Sequence, residues 1–306
     1  MADTTRHPRS ELPATSVGTN RGDFGWTEWG LLAAIASIWG SSFFFIAVGL
    51  EAFSPGVITM ARAVLGVATL AVFSRARVPI AREDQARVAL LGVIWIALPL
   101  VIFPVAQQWI DSSVAGMLNG AMPVVAALWA TMLLRKLPGT RQLIGIAIGF
   151  LGVIAIFLPE VRESSATALG AALVMVAVVL YALSANLAVP LQQRYGALPV
   201  LLRAQIASLV IVVPIGVAQL PSSTWAWDAA LAMIPLGVLG TGLAFVFMAT
   251  LVGRAGAPRG SIAIYFVPIV AVVLGVVILG EDVAGIAIVG VILVILGAWI
   301  TSRREV

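Results

Sequence analysis

The chain has 306 residues, 61% of them hydrophobic and only 10% charged, with a mean hydropathy of +1.07. Soluble domains carry about 25% charged residues, so the composition excludes a soluble globular protein and implies a membrane protein. There is no cysteine and a single histidine, His7, which excludes disulfides, thiol catalysis and cysteine-based metal sites.

Residues 1–28 are rich in Thr, Arg, Ser and Pro and are expected to form a polar, disordered tail. No cleavable signal precedes the first apolar run, so that run is expected to serve as both address and anchor. Ten apolar runs follow, at 29–50, 55–73, 87–109, 113–134, 141–158, 168–190, 198–220, 228–252, 259–279 and 283–301. Each is close to the length a helix needs to cross the hydrocarbon core, about 20 residues. None alternates in polarity as the strands of a membrane barrel do. The fold class read from these runs is an all-α membrane protein.

Span 1 contains "IWGSSFFF" at 38–45. Gly40, Ser41 and Ser42 fit close helix packing, with the serines bonded to their own helix, and equally a polar face on a cavity. Trp39 favours the cavity, because tryptophan ordinarily marks the membrane interface and this one lies mid-span. Span 2 carries one arginine, Arg62, well inside the membrane, where charge is costly and faces protein or water. It fits two roles, a brace on helix-end carbonyls or an anchor for a substrate carboxylate. Amides recur at Gln107, Asn119, Asn186 and Gln205, most commonly as bonds between helices but also as contacts for a polar solute. Pro123 in span 4 and Pro268 in span 9 lack an N–H and clash with the carbonyls of Asn119 and Ile264. Kinks are expected there, with the freed carbonyls, Asn119 and Tyr265 along a solute path.

Shifted by 145 residues, the stretch 92–152 aligns on 237–297 without a gap. Gly92/Gly237, Pro123/Pro268, Gly145/Gly290 and Gly152/Gly297 stay in register. The earlier spans align at a shift of about 142, which brings Trp39 onto Tyr181 and Ser42 onto Ser184. An offset of five spans is odd, so the second copy enters the membrane upside down. The expected organisation is two inverted five-helix repeats, 29–158 and 168–301. Fifteen Lys and Arg residues fall on the side of the tail and only Arg162 on the other, so both termini are expected in the cytoplasm. The basic pI of 10.3 is therefore topology and not nucleic-acid binding.

These stretches resemble the drug/metabolite transporter superfamily, specifically its ten-span members built from two EamA repeats. The resemblance covers nearly everything after residue 28. It rests on "IWGSSFFFIAVGL", "ITMARAVLG", "SSVAGMLNGAMPVVAALWATMLL", "LIGIAIGFLGVIAI" and "GAPRGSIAIYFVPIVAVVLGVVILGED". It implies a central cavity, alternating access, and export of small metabolites or amino acids. It also places an arginine at Arg62 whatever the solute, which favours the brace. One departure is clear: the Gly-Glu expected after span 4 is Arg135-Lys136 here, while Gly280-Glu281 is kept after span 9.

All Asp and Glu residues are expected outside the spans, which argues against a carboxylate-centred proton or cation antiporter. No lysine lies in a span, which disfavours phosphorylated solutes. The expected function is a secondary carrier exporting neutral or zwitterionic metabolites, most readily amino acids, from the bacterial inner membrane. An ion-coupled exporter of other metabolites or drugs is the alternative. A lipid-modifying enzyme is remote, because no nucleophile, acid–base pair or metal cluster is visible. The expected cavity residues are Trp39, Ser41, Ser42, Gln107, Asn119, Tyr181, Asn186 and Tyr265, with Pro123 and Pro268 as kinks. No cofactor or metal is expected; the partners are a small solute and membrane lipid, with the protein a monomer or a weak homodimer.

Overall fold

The computed structural model describes residues 25–135, 139–255 and 262–302. The expected disordered tail lies, apart from its last four residues, outside the described residues, as does Lys136. The described residues form helices and no strand. That is the outcome demanded of a spanning chain, because lipid offers no partner to an exposed N–H or C=O.

Nine helices among the described residues are long and apolar enough to cross a membrane: α1 (Trp26–Leu50), α2 (Pro55–Val72), α3 (Arg82–Ala106), α4 (Ser112–Leu133), α5 (Leu143–Glu163), α6 (Ser165–Tyr195), α7 (Ala197–Ala218), α8 (Trp227–Val252) and α9 (Ile262–Leu279). A shorter apolar helix, α10 (Gly285–Ile300), follows. Helix α1 begins within the expected tail, and α5 runs past residue 158. The expectation that no acid lies inside a span is therefore corrected. Glu28, in the first turn of α1, is buried and paired with Arg254 at 2.7 Å, and Glu160 is buried near the end of α5. Hydropathy stops at the first charge, whereas a helix continues as long as its backbone bonds do.

Three spans widen into π-helical turns. In α3 the segment Gly92–Ala97 ends with Leu98 N–H donating to the Val93 carbonyl, five residues back. In α8 the segment Pro235–Leu243 ends with Ala244 N–H donating to Leu239. These two segments overlap at the offset of 145 seen in the sequence. Pro99 offers no N–H to the Trp95 carbonyl, so widening the preceding turns relieves the defect. Helix α4 breaks at Gly120–Ala121, just before Pro123, and α9 breaks at Phe266, just before Pro268. Both interruptions fall immediately ahead of the prolines at which the sequence leads one to expect kinks.

Glycines set the closest crossing. A Cβ on Gly152 would sit 2.6 Å from the Gly290 carbonyl oxygen, and one on Gly290 would sit 2.7 Å from that of Gly152. A Cβ on Gly297 would come within 2.6 Å of the Gly145 oxygen. Only hydrogen fits in this α5–α10 seam, which brings the two backbones into direct contact. The pairing is reciprocal: Gly145 and Gly290 are counterparts at the 145 offset, as are Gly152 and Gly297, and each meets the other's partner. Contacts also run in opposite sequence directions, so the two helices are antiparallel. Such a contact has the form of a local two-fold axis.

Candidate solute-binding cavity

A cavity of about 710 Å³ lies between α1, α2, α3, α4, α6, α7, α8 and α9. That is the size of a small-molecule site, typically about 300–1,000 Å³. Its walls come in pairs separated by 145 residues: Trp95 and Gly240, Ile96 and Thr241, Leu100 and Phe245, Phe103 and Met248, Asn119 and Ile264, Met122 and Val267. Trp39 and Tyr181, and Phe43 and Ala185, line it at the shift of 142. The π-helical turns of α3 and α8 supply the first two pairs.

Helix α1 presents Trp39, Ser42, Phe43 and Ile46, a stripe at positions i, i+3, i+4 and i+7. Trp39 Nε1–H donates to the Gly240 carbonyl at 3.1 Å, tying α1 to the π segment of α8, and its ring meets Phe245 edge-on at 5.3 Å. The Ser42 hydroxyl donates to Ile38 of its own helix at 3.0 Å. Phe103 packs against Phe43 and Tyr181, with ring centroids 5.4 and 5.8 Å apart. Tyr181 and Asn119 line the space with side-chain polar groups that make no hydrogen bond to the described residues.

Four of the expected cavity residues lie elsewhere. Ser41 points off the Trp39 stripe and donates to Ile38 at 3.1 Å. Asn186 bonds the carbonyls of Ala126 and Ala182 at 3.1 and 2.9 Å, tying α6 to α4. Tyr265 is buried, with its hydroxyl donating to Ala298 of α10 at 3.0 Å. Gln107 lies outside the lining, its carboxamide buried without a hydrogen-bond partner among the described residues. The two carbonyl bearers four residues before the kink prolines, Asn119 and Ile264, do line the cavity.

Arg62 also reaches it. The residue is 7% exposed, and its Nε–H donates to Thr241 Oγ1 at 3.1 Å. Thr241 is fixed in turn: its hydroxyl donates to Leu236 at 3.2 Å, and its carbonyl accepts from Gln205 Nε2 at 2.7 Å. Arg62 thus braces α2 against α8 through a hydroxyl rather than through helix-end carbonyls. Thr241, Gln192 and Gln193 were not singled out by sequence. The two glutamines lie just past the expected end of span 6, where α6 continues to Tyr195.

The two ends of the cavity differ. One end is walled by Gln192, Gln193, Ala197, Leu198 and Val252, beside the Arg194 pairs with Glu83 and Asp84 at 2.6 and 2.7 Å. At the opposite end the helix termini are bonded together. Gly56 N–H donates to Gln219 Oε1 at 2.8 Å, Ser54 N–H to Ser223 Oγ at 2.9 Å, and Thr224 N–H to the Ala52 carbonyl at 2.9 Å. The carboxylate of Glu281 closes on Ser112 and Ser113 there. The cavity therefore extends towards the basic end and is shut at the other.

Known proteins are similar to this chain over most of its length. An uncharacterized transporter of Archaeoglobus fulgidus is 26% identical over 282 residues, covering 91% of this chain and 99% of its own length. A probable terminal-alkyne amino-acid exporter of Streptantibioticus cattleyicolor is 28% identical over 282 residues, covering 90% and 93%. A solved crystal structure, 16% identical, matches with a TM-score of 0.65 over 90% of this chain and 97% of that one, which speaks to the fold alone. The EamA-like transporter family matches residues 27–158 and again 168–303. With both matches spanning most of its length, the chain belongs to the EamA-like transporter family, which makes it a membrane transporter and not an enzyme.

Proposed function

We propose that this protein is a secondary carrier that exports small zwitterionic or neutral metabolites, foremost amino acids with apolar side chains, across the bacterial inner membrane by alternating access. The observation that carries the reading is the cavity itself, whose walls include eight residue pairs at sequence offsets of 145 or 142. A pocket built from equivalent positions of two halves is what rocking one half against the other would expose to each side in turn. The reciprocal, antiparallel glycine seam between α5 and α10 supports halves of opposite orientation, 29–158 and 168–301, on ten spans. The positive-inside bias supports cytoplasmic termini. In that orientation the cavity extends towards the cytoplasm and is closed outside, the state that loads an exported solute.

The lining supports the solute class. Trp39, Trp95, Phe103, Phe245 and Met122 offer an apolar body, while Ser42, Asn119 and Tyr181 offer hydroxyl and amide contacts. The probable amino-acid exporter among the relatives supports the same class. Counterflow in proteoliposomes preloaded with leucine, phenylalanine or methionine tests it. Saturable, exchange-accelerated uptake is expected; the absence of flux for every amino acid and related metabolite tried would sink the reading.

A further inference from the structure

Arg62 is the only charged residue among the described residues that line the cavity. It is 93% removed from solvent by its 7% exposure, yet no carboxylate pairs with it among the described residues. Its single described hydrogen bond uses Nε, leaving the two Nη groups, which carry four N–H donors, without a protein acceptor there. A buried guanidinium without a counterion is expensive, and such groups are retained where something else supplies the anion. The Thr241–Leu236 and Thr241–Gln205 bonds hold its support rigid, so the fork of donors is presented in a fixed orientation.

We infer that Arg62 binds the carboxylate of the transported solute, and that the site selects an apolar monocarboxylate whose ammonium group is dispensable. A planar guanidinium matches a carboxylate through two parallel N–H···O bonds. One cation balances one carboxylate and leaves a phosphate monoester, at about −1.5 to −2, undercompensated. No acid faces the cavity from the described residues, so an ammonium group finds only neutral acceptors such as Asn119 and Tyr181 and the faces of Trp39 and Trp95. The aromatic and aliphatic walls take the solute's apolar body. Des-amino acids therefore belong to the substrate range beside the amino acids themselves.

The inference rests on the cavity being the solute site, and the test separates the two. The purified protein is titrated with leucine, 4-methylpentanoate and the neutral isostere 4-methylpentanamide, and the unfolding temperature is followed as a measure of binding to the native state. Leucine and 4-methylpentanoate are expected to stabilise saturably, and the amide at least ~30-fold more weakly, as for loss of one desolvated charge pair. R62Q is expected to abolish the carboxylate preference and R62K to keep part of it. An amide that binds as well as the acid, a requirement for the amino group, or no stabilisation by any of the three overturns the inference. If R62Q fails to fold, the three-ligand comparison on the unaltered protein decides alone. Leucine that binds through its carboxylate but is not moved in counterflow sinks the transport reading instead.

Discussion

The carboxylate of Glu281 sits on the first two amides of α4: Oε1 accepts the Ser112 N–H at 2.9 Å and its hydroxyl at 2.6 Å, and Oε2 accepts the Ser113 N–H at 2.9 Å. Gly280, with φ of 70°, makes the left-handed turn that swings Glu281 back from the end of α9. The contact joins the end of the ninth helix to the start of the fourth across the closed end of the cavity. A carboxylate at a helix N-terminus satisfies orphan N–H groups and opposes the helix dipole.

Removing that clasp is expected to destabilise the closed end more than the fold as a whole. E281A loses charge-assisted bonds that contribute about 1.5–3 kcal/mol each at most, shared among three donors. The chain has no cysteine, so a single I46C in the cavity wall gives a clean probe. In right-side-out vesicles a membrane-impermeant maleimide is expected to label I46C slowly, and several-fold faster with E281A added. Unchanged labelling would show that the other end bonds suffice to keep this face shut.

Arg135 stands where the 145 offset places it against Gly280, and it too is left-handed, with φ of 50°. For a residue with a Cβ that conformation costs roughly 1–2 kcal/mol. The turn geometry was kept while the glycine that accommodates it was not. R135G is therefore expected to raise the unfolding temperature by up to a few degrees, as about 1 kcal/mol does in a chain of this length. A lowered unfolding temperature would mean that the Arg135 side chain contributes more than its backbone strain.

The all-helical membrane character and the helix breaks ahead of Pro123 and Pro268 were legible in the sequence because they rest on the length of apolar runs and on residue spacing, which survive in a chain of Val, Leu and Ala. The cavity was legible only in part. Trp39, Ser42 and Tyr181 stood out as polar or amphipathic groups at mid-depth, yet Ser41 stood out just as clearly. Residue type alone could not separate the two serines, whereas the helical stripe from Trp39 through Ser42 and Phe43 to Ile46 does. Asn186 and Tyr265 misled for a common reason: a polar side chain in lipid must find a partner, and both find a neighbouring helix's carbonyl. Thr241 was invisible because its counterpart, Ile96, is apolar and its importance comes from a π-helical turn that brings it beneath Arg62.

Trp39 separates wall from scaffold. W39F keeps a ring against Phe245 and loses only the bond to Gly240, a loss of about 0.5–1.5 kcal/mol. W39A also removes one face of the cavity. Counterflow is expected to fall modestly with W39F and tenfold or more with W39A, with folded yield from detergent largely kept in both. Y181F, which deletes a hydroxyl that has no hydrogen-bond partner among the described residues, should leave folding untouched and weaken solute affinity. Equal losses of flux and folded protein across all three would reduce these residues to packing.

Asp111, in the short turn before α4, gives the closed end a pH dependence. Burial raises its carboxyl above the ordinary value near 3.8, and the nearby charges of Glu281, Glu163 and Asp282 push it the same way. Between the ordinary and the raised value the folded chain holds more protons at this position than the unfolded chain. Stability contributed here therefore falls as pH climbs through that window, and the penalty is fully present above it. D111N removes the charge while keeping the shape, so it is expected to be more stable than the unaltered protein at neutral pH. That advantage should shrink as pH is lowered and vanish below the ordinary value near 3.8, where the carboxyl is protonated in the folded and the unfolded chain alike. Unfolding temperatures of the two proteins from about pH 8 to about pH 3 measure it directly. A variant that is less stable at neutral pH would mean that the Asp111 charge is favoured there by the α4 N-terminus, outweighing its burial and its acidic neighbours.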